Sequence, residues 1–313
     1  MRQTSKRARR SRLLMIFILV LLIALVLWGL AALADRLLHY GANATVSAKD
    51  ADQPSAITPT PETADDTPKN TYDPACFYRD GEFLRYESST VTSQIGIDVS
   101  AHQQDIDWQR VAASGVQFAI LRAGYRGYTE GSIQEDAYFE QNLAGAIDAG
   151  LDVGVYFFSQ AITPKEAKAE AEYLLKLIKD YDITLNVAYD WEYIDNVDFG
   201  TARTDKIKEN TVTECAAAFC KTIADAGYQP AIYCNGMLGY FSYDLSKLSG
   251  VDVWYANYAD PSPEFAYQIR MWQYSDKGKL EGVTGNVDLN LYFYDQASEK
   301  KAEKTGVAAS LFS

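Results

Sequence analysis

Hydrophobic and polar positions fall into three regimes along the 313-residue chain. Residues 13–34 (LLMIFILVLLIALVLWGLAALA) are apolar without one charge. Residues 41–71 carry almost no large apolar side chain, and from residue 94 short apolar runs alternate with amphipathic stretches. In this last regime IGIDVS (95–100), FAILRAGY (118–125), DVGVYFFSQ (152–160), NVAYDWEY (186–193) and PAIYCN (230–235) read as buried strands. Between them DWQRVAASG (107–115), DAYFEQNLAGAIDAG (136–150), Thr163 to about Tyr181, and roughly 205–226 read as helices. Gly115, Gly150 and Gly227 stop three of these helices, since glycine adopts the left-handed conformation a helix end needs. Thr163-Pro164-Lys165-Glu166 opens another as a capping box, with Thr163 as N-cap, Pro164 at the first helical position and Glu166 at the third. DVWYANYA (252–259), RMWQYS (270–275) and VDLNLYF (287–293) follow as strands joined by loops. Upstream, Asp80-Gly81 inside FYRDGEFLRYES (77–88) marks a hairpin turn.

Strands alternating with helices argue for parallel βαβ units. Five such units and about three further strands predict an α/β fold, a modified TIM-like β/α barrel preceded by one N-terminal transmembrane helix. No Gly-x-Gly-x-x-Gly or Walker-type loop supports a nucleotide fold. The organisation expected is a basic tail (1–12), a transmembrane signal-anchor (13–34), a disordered linker (35–71), a hairpin extension (72–92), a catalytic barrel (93–296) and a C-terminal tail (297–313).

Charge sharpens this picture. The net charge of −13 argues against nucleic acid, whose phosphates need cations. Arg2, Lys6, Arg7, Arg9, Arg10 and Arg12 nevertheless crowd the N-terminus, and Asp35 follows the apolar run. A run of about 20 apolar residues spans a bilayer, and the cations before it place the N-terminus in the cytoplasm and the barrel outside, on a single-pass cell-membrane protein. The run exceeds the roughly 7–15 apolar residues of a signal peptide. Small residues at Ala32-Leu33-Ala34 and Ala42-Asn43-Ala44 keep cleavage and secretion as the alternative.

In a βα-barrel, chemistry sits at the C-terminal ends of the strands. Asp98 lies near the end of the first strand, Asp190 and Glu192 end the fourth, and Asp288 starts the last, after a loop with Gly282 and Gly285. Residues i and i+2 of a strand share a face, so Asp190 and Glu192 lie close and one must hold its proton. A protonated carboxyl beside an ionised one suits glycosidic cleavage, where one group protonates the leaving oxygen and another stabilises the oxocarbenium-like transition state. Asp-x-Glu alone is more often a solvated face. Its place in a barrel with other strand-end acids carries the reading. Aromatic rings crowd the same ends, and Tyr125, Tyr156, Tyr233, Trp254, Tyr258 and Trp272 are the candidates for stacking on sugar, with core packing the bland alternative for about half of such rings.

GIDVS, FAILRAGY, VGVYFFS, the Asp-Trp-Glu strand, PAIYCN, WYANY, MWQYS and VDLN occur in this order. The chain resembles glycoside hydrolase family 25, the N-acetylmuramidases called Chalaropsis-type lysozymes, over roughly residues 93–295. The resemblance implies a modified β/α barrel that hydrolyses the β-1,4 bond between N-acetylmuramic acid and N-acetylglucosamine in peptidoglycan. It implies Glu192 as general acid, Asp190 as its partner, and Asp98 and Asp288 as two further active-site acids. Ala101-His102 stands where many relatives carry an aromatic, and His102 reads as a rim residue against sugar or as a plain loop residue. Asp190 lies too near Glu192 on one face to attack from the opposite side, so assistance by the substrate's 2-acetamido group, with retention, is the favoured scheme. The hairpin and tail fall outside the resemblance, and the membrane anchor stands in for cell-wall-binding repeats.

Two histidines, His39 and His102, and four cysteines give no metal-ligand spacing, and neither metal nor cofactor is expected. Cys76, Cys215, Cys220 and Cys234 leave disulfide pairing open, and the last three also read as small buried hydrophobes. The expected partners are peptidoglycan strands and the membrane, with the protein a monomer. A non-catalytic glycan-binding barrel and a hydrolase of a related polymer such as chitin are the competing readings.

Overall fold

The computed structural model describes residues 67–194, 201–205, 207–258 and 261–296. The apolar run 13–34, most of the linker and the tail from 297 lie outside the described residues. Among the described residues no helix is long and apolar enough to cross a membrane.

The strands are β1 (Phe77–Asp80), β2 (Phe83–Tyr86), β3 (Val91–Val99), β4 (Phe118–Arg126), β5 (Ile133–Glu135), β6 (Asp152–Ser159), β7 (Val187–Trp191), β8 (Pro230–Asn235), β9 (Asp252–Ala256), β10 (Met271–Gly278) and β11 (Val287–Asp295). The helices are α1 (Trp108–Ala113), α2 (Phe139–Asp148), α3 (Pro164–Ile178), α4 (Glu209–Asp225) and α5 (Gly236–Phe241). β3, β4, β6, β7, β8, β9 and β10 pair in parallel in that order. β11 then returns antiparallel between β10 and β3 and closes an eight-stranded mixed α/β barrel. The three-residue β5 adds to the free end of β4.

Local signals explain the element ends. Gly115, Gly150 and Gly227 all take positive φ just past α1, α2 and α4. Thr163 accepts the Glu166 N–H, while the Glu166 carboxylate reaches back to the Ile162 N–H, one residue before the cap. Gly81 opens the β1–β2 turn with φ +60, a conformation costly for any residue with a Cβ. Helix α4 begins at Glu209 rather than near 205, and the short α5 was not foreseen, being too brief to show a helical period.

Alternate strand residues fill the two faces. Phe118, Ile120, Ala188, Trp254, Met271 and Tyr292 pack inside the barrel, while α2, α3 and α4 bury Leu143, Leu174 and Phe219 against its outside. Gly96 leaves room for the Phe118 ring, which would lie 2.3 Å from an added Cβ. Helices follow β3, β4, β6, β7 and β8, none lies between β9 and β10 among the described residues, and the outer side of β10, β11 and β3 is left to other cover. The β1–β2 hairpin supplies it. Phe77 meets Trp272 edge-on at 5.5 Å, Tyr86 meets Phe293 at 5.6 Å, and Tyr72 stacks on Phe293 at 4.1 Å. The hairpin, expected as an extension ahead of the barrel, is thus part of the core.

Behind β4 and β6, α3 brings the fully buried Glu170 to Arg126, whose Nε pairs with its Oε1. Ser159 Oγ donates to the other Glu170 oxygen at 2.6 Å, and Arg126 Nη2 donates to the Glu166 carbonyl at 3.1 Å. Burial pushes the Glu170 carboxyl up to about 7, against the opposing pull of Ser159 and Arg126.

Candidate active site

The barrel's parity decides the site. On β7 Trp191 points outward, fully buried, with its Nε1 donating to the Ala161 carbonyl at 3.1 Å. Its neighbours Asp190 and Glu192 therefore both face the mouth. Asp98 near the end of β3 and Asp288 near the start of antiparallel β11 are direct cross-strand partners at the same end. The four acids line one open pocket of about 320 Å³, joined by His102, Tyr156, Tyr233, Trp254 and Tyr258. A larger cavity of about 550 Å³ lies at the opposite end, where Asp252 and Arg270 begin or precede strands, and it holds none of the four acids.

Two candidates fall elsewhere. Tyr125 points its hydroxyl to Gln134 of β5 at 3.0 Å and lies outside the pocket lining. Trp272 is a core residue, fully buried, with Nε1 on the Asn257 carbonyl at 2.7 Å. Met271 and Gln273 take the inward parity of β10 and send Trp272 out beneath the hairpin. Trp272→Phe is expected to lower Tm while leaving turnover per folded molecule unchanged. A change in KM at unchanged Tm would contradict that placement.

Asp98 is the hub of a polar network with no direct counterpart in the motif reading. Its Oδ2 accepts from Gln273 Nε2 at 2.8 Å and from Asn290 Nδ2 at 2.7 Å. Held in that orientation, Gln273 Oε1 accepts from the hydroxyls of Tyr233 (2.9 Å) and Tyr258 (3.0 Å). Asn290 Oδ1 likewise accepts from Trp254 Nε1 at 2.8 Å. One carboxylate thus fixes three aromatic rings through two amides. Gln273 and Asn290 were missed because a neutral amide has no chemistry of its own. Their signal was position, two residues from Met271 and Asp288 on the same strand faces.

Arg122 is the one arginine or lysine among the pocket's lining residues. Its Nε donates to Asp136 at 2.7 Å, and Asp136 also accepts the Ala101 and Tyr138 N–H groups, tying β4 to the loop after β3 and to the start of α2. At the back of the acids, Gln160 Nε2 donates to the Glu192 carbonyl at 2.8 Å, and Thr204 holds Gln160 at 3.1 Å.

The acids are not equivalent. Asp190 is 5% exposed, whereas Glu192 is half-buried just beyond the strand end. Burial first, then the charges of Glu192 and Asp98, push Asp190 well above the usual carboxylate range, and Arg122 pulls the other way. Burial raises Asp98 to about 6 against its two amide hydrogen bonds. Burial and the Asp98 charge raise Asp288 to about 8. Groups this close titrate as a set, with protons belonging to the cluster. Asp190 Oδ1 is buried and has no hydrogen-bond partner among the described residues. A buried acceptor in that state is ready for a donor from a ligand.

Because Asp98, Asp288 and Glu170 titrate higher in the fold than in an unfolded chain, the folded protein binds more protons. Their contribution to stability is greatest below about pH 4 and is lost as pH rises through the range of about 6 to 8. Tm is expected to be higher near pH 5 than near pH 8, with a smaller difference in Asp288→Asn. A Tm rising with pH across that interval would contradict these assignments.

The family model for glycosyl hydrolases family 25 matches residues 97–283, more than half the chain. The chain belongs to this family. It is a glycoside hydrolase, and its eight-stranded barrel is consistent with the family 25 fold. YegX of Escherichia coli K12 is 29% identical over 209 residues, 63% of this chain and 68% of the relative. The autolytic lysozyme of Clostridium acetobutylicum is 27% identical over 196 residues, 62% of this chain and 54% of the relative. Among solved structures, the modular autolysin LytC of Streptococcus pneumoniae, in complex with a synthetic peptidoglycan ligand, matches with a TM-score of 0.54 and 26% identity over 64% of this chain. The matched part is 47% of that structure, so this chain spans about half of it. The family 25 hydrolase from Bacillus anthracis has the same fold, with a TM-score of 0.54 and 23% identity over 66% of this chain and 92% of that one.

Proposed function

We propose that this family 25 hydrolase is a Chalaropsis-type muramidase that cleaves the β-1,4 bond between N-acetylmuramic acid and N-acetylglucosamine in peptidoglycan. The observation that carries the reading is the half-exposed Glu192 beside the buried Asp190, whose Oδ1 is unpartnered. Glu192 protonates the leaving glycosidic oxygen. The substrate's 2-acetamido oxygen attacks the anomeric carbon as that bond breaks, and its N–H donates to Asp190 Oδ1. That donation favours ionised Asp190 and leaves the pair's proton on Glu192, where cleavage needs it. Water then opens the cyclic intermediate with Glu192 as base, so the configuration is retained. Asp98 and Asp288 raise the proton affinity of the cluster, and Tyr156, Tyr233, Trp254, Tyr258 and His102 contact the sugars.

All four acids come from one chain, so a monomer suffices for this chemistry. The apolar run 13–34 anchors the protein in the cell membrane with the barrel on the extracytoplasmic side. The test digests purified peptidoglycan with the full-length protein in mild detergent, beside Glu192→Gln, and identifies the reduced products by mass spectrometry. New reducing ends on muramic acid, absent in the variant, are expected. New ends on glucosamine would assign a different bond, inversion at the anomeric centre would sink acetamido assistance, and bound glycan without any new ends would make the barrel a binding module.

A further inference from the structure

The two rims of the pocket differ in character. On the side of β3 and β4 the lining is polar, with Ser100, His102, Gln103 and Arg122. On the side of β7, β8 and β9 three large apolar side chains stand in water: Tyr193 is 46% exposed, Met237 60% and Tyr258 52%. Each lies two residues past the end of its strand, beyond Trp191, Asn235 and Ala256. The ladders that pair Asp190 with Tyr233 and Asn235 with Ala256 make these three strand ends neighbours. Tyr193 and Tyr258 thus follow the ends of β7 and β9, and Met237, the second residue of α5, follows the end of β8 between them. Two strand spacings cover about 10 Å.

We propose that Tyr193, Met237 and Tyr258 form a rim subsite that holds a sugar ring of the glycan strand outside the reacting pair. The proposal rests on the muramidase reading for its ligand. Continuity argues for the occupant, because Tyr258 lines the catalytic pocket and also belongs to the rim. So does its chemistry. A pyranose ring presents an apolar C–H face that packs on Tyr and on an adaptable Met thioether. The three rim side chains carry no charge for a peptide stem. Neither Tyr193 nor Met237 has a structural task that exposes it: Tyr193 touches Trp191 edge-on at 4.9 Å, and the rest of its ring faces solvent. Tyr258 is oriented through Gln273 by Asp98, so the same hub that fixes Tyr233 and Trp254 in the pocket also sets one end of the rim. Strands that reach the rim gain contact there in addition to the pocket, and short substrates do not.

The test separates rim binding from catalysis. The full-length protein carrying Glu192→Gln is titrated with a tetrasaccharide and an octasaccharide of peptidoglycan glycan, with and without Tyr193→Ser and Met237→Ser together. With the rim intact the octasaccharide is expected to bind about tenfold tighter, a difference that burial of part of one ring face supplies. In the rim variant this preference disappears, while tetrasaccharide affinity and Tm hold. Equal affinity for both lengths with the rim intact, or equal losses for both in the variant, overturns the proposal. The parallel digestion by protein with Glu192 in place reads the other reading alone: length-dependent binding without any bond opened refutes the muramidase and keeps the rim.

Discussion

Glu192→Gln is expected to lower kcat on peptidoglycan about a thousandfold or more, with KM and Tm little changed. General acid catalysis contributes about 10²–10⁴ in rate, and Glu192 reaches the pocket half-buried, just beyond the strand end. Glutamine keeps the shape and supplies no proton to the leaving oxygen. The neighbouring Asp190 cannot substitute, because it sits deeper, with 5% of its surface exposed. The check pairs a reducing-end assay with thermal denaturation of the same preparation. Turnover within tenfold of the parent would move the acid role to another carboxyl. A large fall in Tm would mean that the variant reports on folding.

Arg126→Ala is expected to cost about 3–5 kcal/mol of stability near pH 8, the range for breaking a buried ion pair by removing one partner. Glu170 stays behind with no solvent exposure and, among the described residues, with the Ser159 hydroxyl as its remaining donor. Its proton affinity, already raised by burial, rises further without the guanidinium. The protein therefore recovers part of the loss near pH 5, where Glu170 takes a proton. Denaturant titrations at the two pH values measure both numbers. A loss that is equal at both would show that the cost is packing of the arginine stem rather than the stranded charge. Turnover is expected to fall less steeply than stability, because Ser159 touches the acids indirectly, through Gln160 and the Glu192 backbone and through its strand partner Trp191.

Much of this was legible in the residues because the signals were local. Gly115, Gly150 and Gly227 stop helices for want of a Cβ, Thr163 and Glu166 cap α3, and the two-residue period puts Asp190 and Glu192 on one side of Trp191. Ring orientation was less legible. A barrel strand is buried on both faces, so MWQYS carries large side chains at both parities and does not say whether Met271 or Trp272 faces inward. Trp272 was assigned to sugar and belongs under the hairpin. The hairpin itself showed its turn and its strands, while its role as cover for a helix-free side depends on the antiparallel return of β11, which no local pattern encodes. Gln273 and Asn290 were silent for the same reason: their importance lies in what faces them across the barrel.

That closing strand has a consequence for the order of events in the life of the chain. β11 is the last element among the described residues, and it pairs with β3 roughly along its whole length, from Asp288 opposite Asp98 to Asp295 opposite Val91. Such a long-range ladder forms late, since loop closure must precede its reward. Asn290, which helps fix Asp98 and through it the aromatic rings, arrives on that same strand. A chain made only as far as β10 has the Asp-Trp-Glu strand and Gln273 but neither Asp288 nor Asn290, the second amide on Asp98. The pocket's four acids and the amide that fixes Asp98 therefore come together only when β11 has paired with β3 and the barrel is closed.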